Sequence, residues 1–198
     1  MNLLNLLLSL GTGLIFGIIP FSYLIGRLKG VDLKKTGSGN IGSTNLGRSL
    51  GITFFIIGFL LDGAKGFLPV LIAKSGNIIP IFAGAGAIIG HIFNPFFKFK
   101  GGKGVATTIG VLLGIVPLQF LVSIGVWLIV YLSTFIVSIA SISMAISLPI
   151  TTFAFTNIPL SEKFFIMVVS ILIIFAHRTN IKRLFNKTEP KTIFWKKK

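Results

Sequence analysis

Long apolar runs separated by short polar segments constrain the fold of this chain more than any other feature. Only 12% of the residues are charged, about half of the roughly 25% found in soluble domains. Stretches of this length with so few charges are typical of membrane-spanning helices. The apolar runs cover residues 3–28, 52–73, 78–93, 105–117, 118–135, a sixth run that ends near residue 155, and 164–176.

Several of these runs are shorter than the roughly 20 residues that cross a full hydrocarbon core. Short or broken spans occur where helices line a cavity or end at an interface. We therefore predict an all-α integral membrane protein with about seven short transmembrane helices, or five if the fourth and sixth runs are re-entrant. The first run has no charge ahead of it and is longer than a signal-peptide core, so we expect it to be retained as a span.

The distribution of positive charge predicts the orientation. Sixteen of the 19 lysines and arginines lie in residues 27–50, 94–104 and 177–198. Because positive residues accumulate on the cytoplasmic side, we expect cytoplasmic loops at 29–50 and 94–104, a cytoplasmic basic tail at 177–198, and the amino terminus outside. Only an odd number of spans fits this pattern. Phe194 and Trp195, next to three lysines, are predicted to anchor the tail at the membrane interface.

The first polar loop contains the stretch TGSGNIGSTNLGRSLG, residues 36–51. Gly37, Gly39 and Gly42 fit the dinucleotide pattern G-x-G-x-x-G, but membrane spans flank them where that fold requires a βαβ unit. Glycines do let backbone N–H groups approach an anion, and Arg48 adds a guanidinium suited to phosphate. An ordinary polar loop is the alternative, although loops of this length are usually functional. Neutral donors accompany the glycines: Ser38, Asn40, Ser43, Thr44 and Asn45.

A second glycine-rich basic segment, FKFKGGKGVATT, covers residues 97–108. It fails the Walker A pattern at both ends. It nevertheless presents Lys103 between Gly101, Gly102 and Gly104, which makes it a second candidate phosphate site on the same side of the membrane. Positive-inside charge alone is the alternative explanation, particularly for the neighbouring lysines.

Polar residues within or beside the spans are the remaining candidates. Asp62 and Lys65 are three apart, so they share a helix face and can pair; stabilisation of a site and direct catalysis both remain open. His91 and His177 end the third and seventh runs, where a helix-capping role is the alternative to a functional one. Ser141 lies near a helix start and either binds a ligand or packs between helices. Two histidines, scattered acids and no cysteine predict no metal site.

In this order, the segments GSGNIGSTNLGR, DGAKG, GHIF…FKFKGGKGVAT and HRTNIKRL resemble the bacterial membrane glycerol-3-phosphate acyltransferases that use acyl phosphate, the PlsY family. Two positions depart from its usual pattern: Asn94 stands where proline is usual, and Lys187 stands where glycine is usual. A third, small departure is Ser43 in place of alanine. The matching residues are Ser38, Gly39, Asn40, Gly42, Thr44, Asn45 and Arg48, then His91, Gly101, Gly102, Lys103 and Gly104, and finally His177, Asn180, Ile181, Arg183 and Glu189.

The resemblance implies a single membrane-embedded acyltransferase domain over residues 1–198, in the bacterial inner membrane, with its site facing the cytoplasm. It implies transfer of a fatty acyl group from acyl phosphate to the 1-hydroxyl of glycerol 3-phosphate. The products are lysophosphatidic acid and phosphate, and the reaction is the first acylation of phospholipid synthesis. A substrate phosphate would accept the hydroxyl proton. No cofactor and no nucleic acid are expected, and transient contact with the soluble enzyme that makes acyl phosphate is possible.

The resemblance also implies roles for the matching residues. The expected catalytic residues are Ser38, Arg48, Lys103, His177 and Asn180. The expected substrate-binding residues are Gly39, Asn40, Gly42, Thr44, Asn45, Gly101, Gly102, Ser141 and Arg183. Asp62, Lys65 and His91 are expected to support the site. The alternative function is a transporter for a small organic anion, which should show an internal repeat and polar groups at the membrane midplane.

Overall fold

The computed structural model describes residues 2–154 and 157–194, which fold into helices and connecting segments without any strand. They form two compact units, residues 2–115 with Phe194 and residues 116–193. A short 3-10 turn, Pro95–Phe97, lies between α5 and α6. The helices are α1 Leu3–Gly17, α2 Phe21–Leu28, α3 Ser43–Leu50, α4 Ile52–Ser75, α5 Pro80–Ile92, α6 Val105–Ile115, α7 Pro117–Thr134, α8 Val137–Ala154, α9 Leu160–Ala176 and α10 Arg178–Phe185.

Five helical segments are long and apolar enough to cross a membrane, and they confirm the predicted all-helical membrane fold. The α9–α10 pair bends by 55° and adds a sixth candidate if it is counted as one span. Helix α6 is apolar but has 11 residues, about 16 Å of helix against a hydrocarbon core of roughly 30 Å. The count of seven, the fallback of five, the orientation and the single domain therefore stay predictions. The five clear candidates are Leu3–Leu28, Ile52–Ser75, Pro80–Phe97, Pro117–Thr134 and Val137–Ala154.

The first apolar run breaks at Pro20, between α1 and α2. A break inside a membrane frees backbone carbonyls that water cannot reach, so protein groups must bind them. The amide of Asn94 donates to the carbonyl oxygen of Ile18 at 2.7 Å, and the ammonium of Lys65 donates to that of Ile19 at 2.6 Å. Asn94, which stands where the motif usually has proline, thus ties the second loop to this break.

Glycines bring the helices of the first unit close together. Gly13 and Gly17 on α1 face α5, and a methyl group on Gly13 would collide with the backbone of Ala83. Gly86 and Gly90 on α5 face α1 in return. Small residues four apart are the usual way for membrane helices to pack backbone against backbone. Helices α4 and α6 pack in the same way, through Gly63, Gly66, Gly110 and Gly114.

The sequence predicts a polar loop over residues 29–50. This prediction is wrong for the last eight residues, which form the helix α3. Ile41 and Leu46 flank the helix start at the two positions of a hydrophobic staple, and both are buried. Gly51, with φ of 95°, then turns the chain directly into α4. The predicted basic tail likewise contains a helix, α10. Both short helices are polar, so hydropathy alone gave no signal for them.

The prediction that Phe194 anchors the tail at the membrane interface is wrong. Its ring is buried in the first unit, where it stacks on Phe55 of α4 with 4.2 Å between the ring centroids. The ring fits there because Gly47 carries no side chain and leaves room for it beside α3, where it makes the aromatic contact. Trp195 and the three terminal lysines lie outside the described residues.

Candidate functional site

Asn45 organises the first glycine-rich loop. Its side-chain carbonyl accepts a hydrogen bond from the backbone N–H of Ser38 at 3.0 Å. Its side-chain amide donates to the carbonyl oxygens of Leu33, Thr36 and Asn40 at 2.8–3.0 Å. Because Asn45 is buried and both sides of its amide group bind the loop, we assign it to holding the loop, whereas the sequence pattern suggested direct substrate contact.

The glycine-rich loop also uses several of its own backbone N–H groups. Gly39 donates to the carbonyl oxygen of Thr36 at 3.1 Å, and Gly42 donates to the side chain of Asn40 at 2.9 Å. In this conformation these two N–H groups bind the loop itself, and the substrate-binding roles of Gly39 and Gly42 stay predictions. The half-buried side chains of Thr44 and Arg48 on α3 are therefore better placed to contribute to an anion-binding site.

The second glycine-rich loop is held against the end of α5. The N–H groups of Gly101 and Gly102 donate to the carbonyl oxygens of Ile92 and His91 at 2.9 and 3.1 Å. A side chain on Gly102 would overlap the imidazole of His91. These glycines therefore allow the close approach of backbone to a buried ring, and His91 supports the loop that carries the half-buried Lys103.

Lys34 joins the two loops within the first unit. Its ammonium donates to the carbonyl oxygen of Lys100 at 2.7 Å and lies 5.1 Å from the centre of the Phe97 ring. Partial burial and the nearby charge of Lys100 lower the pKa of Lys34, while Asp32 acts in the opposite direction. Sequence reasoning treated Lys34 only as a topology signal, because nothing in the sequence indicates which carbonyl it will meet.

The predicted pair of Asp62 and Lys65 is confirmed, with 3.0 Å between the ammonium and the carboxylate. Both side chains are almost completely buried. The hydroxyl of Ser22 donates to the other carboxylate oxygen of Asp62 at 2.6 Å, a contact that sequence reasoning missed. Because Ser22 lies on α2 and the pair lies on α4, the three side chains connect these helices beside the break at Pro20.

Glu189 connects the polar residues of the second unit. Its carboxylate accepts hydrogen bonds from Ser138 at 2.8 Å, from the amide of Asn180 at 2.6 Å and from Arg183 at 2.6 Å. Burial alone would raise the pKa of Glu189, but the hydrogen bonds from Arg183, Asn180 and Ser138 outweigh it and lower the pKa. Sequence reasoning matched Glu189 to a motif but gave it no role.

The other predicted residues of the second unit also have structural contacts. The Nδ1 atom of His177 bonds the carbonyl oxygen of Ile173 at 2.8 Å, so Nδ1 carries the proton, since a carbonyl can only accept. Ser141 accepts from the indole N–H of Trp127 at 3.1 Å. The side-chain oxygen of Asn180 is buried and has no hydrogen-bond partner among the described residues.

Each acidic side chain has a polar partner among the described residues. The sequence has four acidic residues. Asp32 lies 3.5 Å from Arg27, Asp62 binds Ser22 and Lys65, Glu162 accepts from its neighbour Ser161 at 3.0 Å, and Glu189 has the three donors described above.

Known proteins resemble this chain over almost its whole length. A family model described as glycerol-3-phosphate acyltransferase matches residues 7–187. A glycerol-3-phosphate acyltransferase of Aquifex aeolicus (strain VF5) is 44% identical over 179 residues, which cover 88% of this chain and 93% of the relative. One from Thermosipho melanesiensis is 41% identical over 187 residues, covering 93% of this chain and 91% of the relative.

Two solved structures have the same fold. Both are crystal structures of PlsY (YgiH), an integral membrane glycerol 3-phosphate acyltransferase. Its glycerol 3-phosphate form superposes with a TM-score of 0.88 at 40% identity and covers 95% of this chain and 96% of that one. Its lysophosphatidic acid form gives a TM-score of 0.86 at 39% identity, with 96% of both chains covered. The resemblance noted in the motifs is thus confirmed, and the chain belongs to the glycerol-3-phosphate acyltransferase family.

Proposed function

We propose that this chain transfers a fatty acyl group from acyl phosphate to the 1-hydroxyl of glycerol 3-phosphate, giving lysophosphatidic acid and phosphate. Family membership supports the acyltransferase activity and favours it over an anion transporter. The glycerol 3-phosphate and lysophosphatidic acid forms of the related enzyme support this choice of substrate and product. Lysophosphatidic acid is glycerol 3-phosphate that carries one acyl chain. The choice of acyl phosphate as donor and the mechanism below go beyond the family assignment.

The observation that carries this proposal is the pairing of two basic, glycine-rich loops through Lys34 and the Lys100 carbonyl oxygen. Both substrates carry a phosphate, so the site needs two groups of cationic or hydrogen-bonding side chains. Arg48 and Lys103 neutralise these phosphates, with Ser38 and Thr44 as additional donors. Acyl phosphate is already activated, so positioning and charge neutralisation do most of the catalytic work.

The proton of the attacking hydroxyl leaves to a substrate phosphate. The hydroxyl oxygen bonds the acyl carbon, the bond from that carbon to the phosphate oxygen breaks, and the departing phosphate carries the proton. His177 and Asn180 orient glycerol 3-phosphate, and a glycerol hydroxyl satisfies the unpartnered oxygen of Asn180.

The loops, and with them the site, face the cytoplasm of a bacterial inner membrane in this proposal. The excess of lysine in these loops supports their placement on the cytoplasmic side. The basic surface would also suit transient contact with a soluble enzyme that supplies acyl phosphate. The exposed apolar side chains of the helices are compatible with an acyl chain that enters from the lipid phase.

The deciding experiment follows phosphate release by the purified protein in lipid, with acyl phosphate and glycerol 3-phosphate. Acyl-CoA in place of acyl phosphate tests the donor and should give no lysophosphatidic acid, which is the readout here because acyl-CoA would release a thiol and no phosphate. Arg48→Ala and Lys103→Ala should each lower kcat/KM by about 100-fold, whereas Lys98→Ala, at an exposed lysine of the same loop, should not. Absence of release by folded protein would refute the reaction, and near-normal activity of both variants would refute the phosphate assignment.

A further inference from the structure

The buried ring of Phe194 contacts the short helix α3, which carries Arg48. Phe194 is 9% exposed and stacks on Phe55, in the first turn of α4, at an interplanar angle of 23°. Both residues lie against Gly47 of α3. A side-chain carbon on Gly47 would be 2.9 Å from the ring of Phe194 and 2.5 Å from the Cβ of Phe55. The bare backbone of α3 therefore lies directly against these two aromatic residues.

Helix α3 depends on such contacts for its position. It has eight residues, and a helix this short is not stable without packing. Asn45 and Leu46 hold its first half to the loop and the core. Its second half contains Gly47, which offers no side chain for packing, and Arg48 follows immediately. The two aromatic rings supply the packing at the point where the helix has none of its own.

We propose that Phe194 is a positioning residue for acyl transfer: it fixes the second half of α3 and so places Arg48 against a substrate phosphate. The inference rests on the proposed function, because it takes Arg48 as a phosphate ligand. Phe194 lies beyond residues 7–187, the part of the chain that the family model matches.

Activity measurements test the proposal, because displacement of Arg48 should slow acyl transfer. Phe194→Ala should lower kcat/KM about 10-fold, since misplacement by an ångström can cost up to about 100-fold. Phe194→Tyr, which keeps the ring, should restore most of the activity. Phe185→Ala, which removes an exposed phenylalanine on α10, should change nothing. Phe194→Leu serves as the milder change if the alanine variant fails to fold.

A double-mutant cycle separates positioning from general stability. In an Arg48→Lys background, Phe194→Ala should have little further effect, because the guanidinium that it positions is already gone. An equal loss of kcat/KM in both backgrounds would show that Phe194 does not act through Arg48, and it would overturn the proposal. So would wild-type kinetics of the Phe194→Ala protein.

Hydrogen exchange tests the same contact without any turnover. Phe194→Ala should speed amide exchange in residues 43–50 and leave α5 unchanged, and Phe185→Ala should leave both unchanged. If the wild type proves inactive while exchange in α3 responds as expected, the reaction is wrong but Phe194 still positions α3. If exchange in α3 does not respond, the inference fails whatever the activity.

Discussion

Asn45 binds four backbone groups of the first loop from one buried side chain. Asn45→Ala removes all four hydrogen bonds and leaves several loop groups unpaired. At about 1 kcal/mol net for each bond, we expect the free energy of unfolding to fall by about 2–4 kcal/mol. Denaturation in detergent measures this loss.

Ser49→Ala is the matched control for Asn45→Ala, because the hydroxyl of Ser49 only bonds the backbone oxygen of Asn45 at 3.0 Å. This control should stay within about 0.5 kcal/mol of the wild type. An Asn45→Ala protein as stable as the wild type but inactive would reverse our assignment. It would return Asn45 to the substrate-binding role that the sequence pattern predicts.

Glu189 gives the second unit a predictable response to acid. Its pKa is lowered from the ordinary 4.5, so the folded state favours the carboxylate. That contribution is complete well above pH 4.5 and disappears as the pH falls through the lowered pKa of the folded protein. We expect the melting temperature of the wild type to fall on acidification below about pH 4.5. The Glu189→Gln variant should have a lower melting temperature at neutral pH, and its melting temperature should fall less steeply on acidification.

The control for this pH profile is Glu162→Gln. Among the described residues Glu162 has its neighbour Ser161 as sole hydrogen-bond donor, in an exposed contact, so its replacement should leave the acid response of the wild type unchanged. Parallel pH profiles for Glu189→Gln and the wild type would mean that Glu189 does not produce the response.

At the scale of whole elements, the packing of α1 on α5 depends on the absence of side chains at the contact. Gly13→Val would force the two backbones apart, at a cost of about 3 kcal/mol in unfolding free energy. Gly11→Val is the matched control on the same helix, because nothing lies within 4 Å of a side chain at that position. Thermal denaturation in detergent compares the two variants, and equal melting temperatures would contradict this packing.

The long helices could be predicted from the sequence because each depends mainly on its own hydropathy. The apolar run at 52–73, for example, becomes α4, Ile52–Ser75. Helix α3 could not be predicted, because its polar sequence becomes helical through burial of Leu46 and packing against Phe194.

Lys187 stands where the motif usually has glycine, and its backbone explains that preference. Its φ of 56° is the left-handed conformation that glycine adopts without strain.

The residue types of the candidate site could be predicted from the sequence, but the hydrogen-bond partners of these residues could not. The motifs identify Asn45, Asn180 and Arg183, yet the sequence does not show that Asn45 binds its own loop. Nor does it show that Glu189 holds the other two. These contacts span only 5 to 12 residues of the chain, but they depend on how the loops fold back, which the residue types do not indicate. A side chain in a functional motif can therefore support the site without touching a substrate.

For the molecule as a whole, the orientation in the membrane follows from charge and remains to be measured. The basic loops and tail predict residues 35 and 182 on the cytoplasmic side, and the connections near residues 75 and 161 outside. Helices α6 and α8, the fourth and sixth runs, decide between seven spans and five. If α6 crosses the membrane, residue 118 lies outside; if α6 is re-entrant, residue 118 lies on the same side as the second loop.

The absence of cysteine from the sequence makes this question directly accessible. Single cysteines at exposed positions, Lys35→Cys, Ser75→Cys, Ser161→Cys and Lys182→Cys, can be treated with a membrane-impermeant maleimide in right-side-out spheroplasts. We expect labelling at residues 75 and 161 before lysis and at residues 35 and 182 only after it. The reverse pattern would place the loops outside, away from any cytoplasmic acyl donor. Leu118→Cys should be labelled before lysis if there are seven spans and only after lysis if α6 is re-entrant, because an 11-residue helix crosses only where the bilayer thins or neighbouring helices cover its ends.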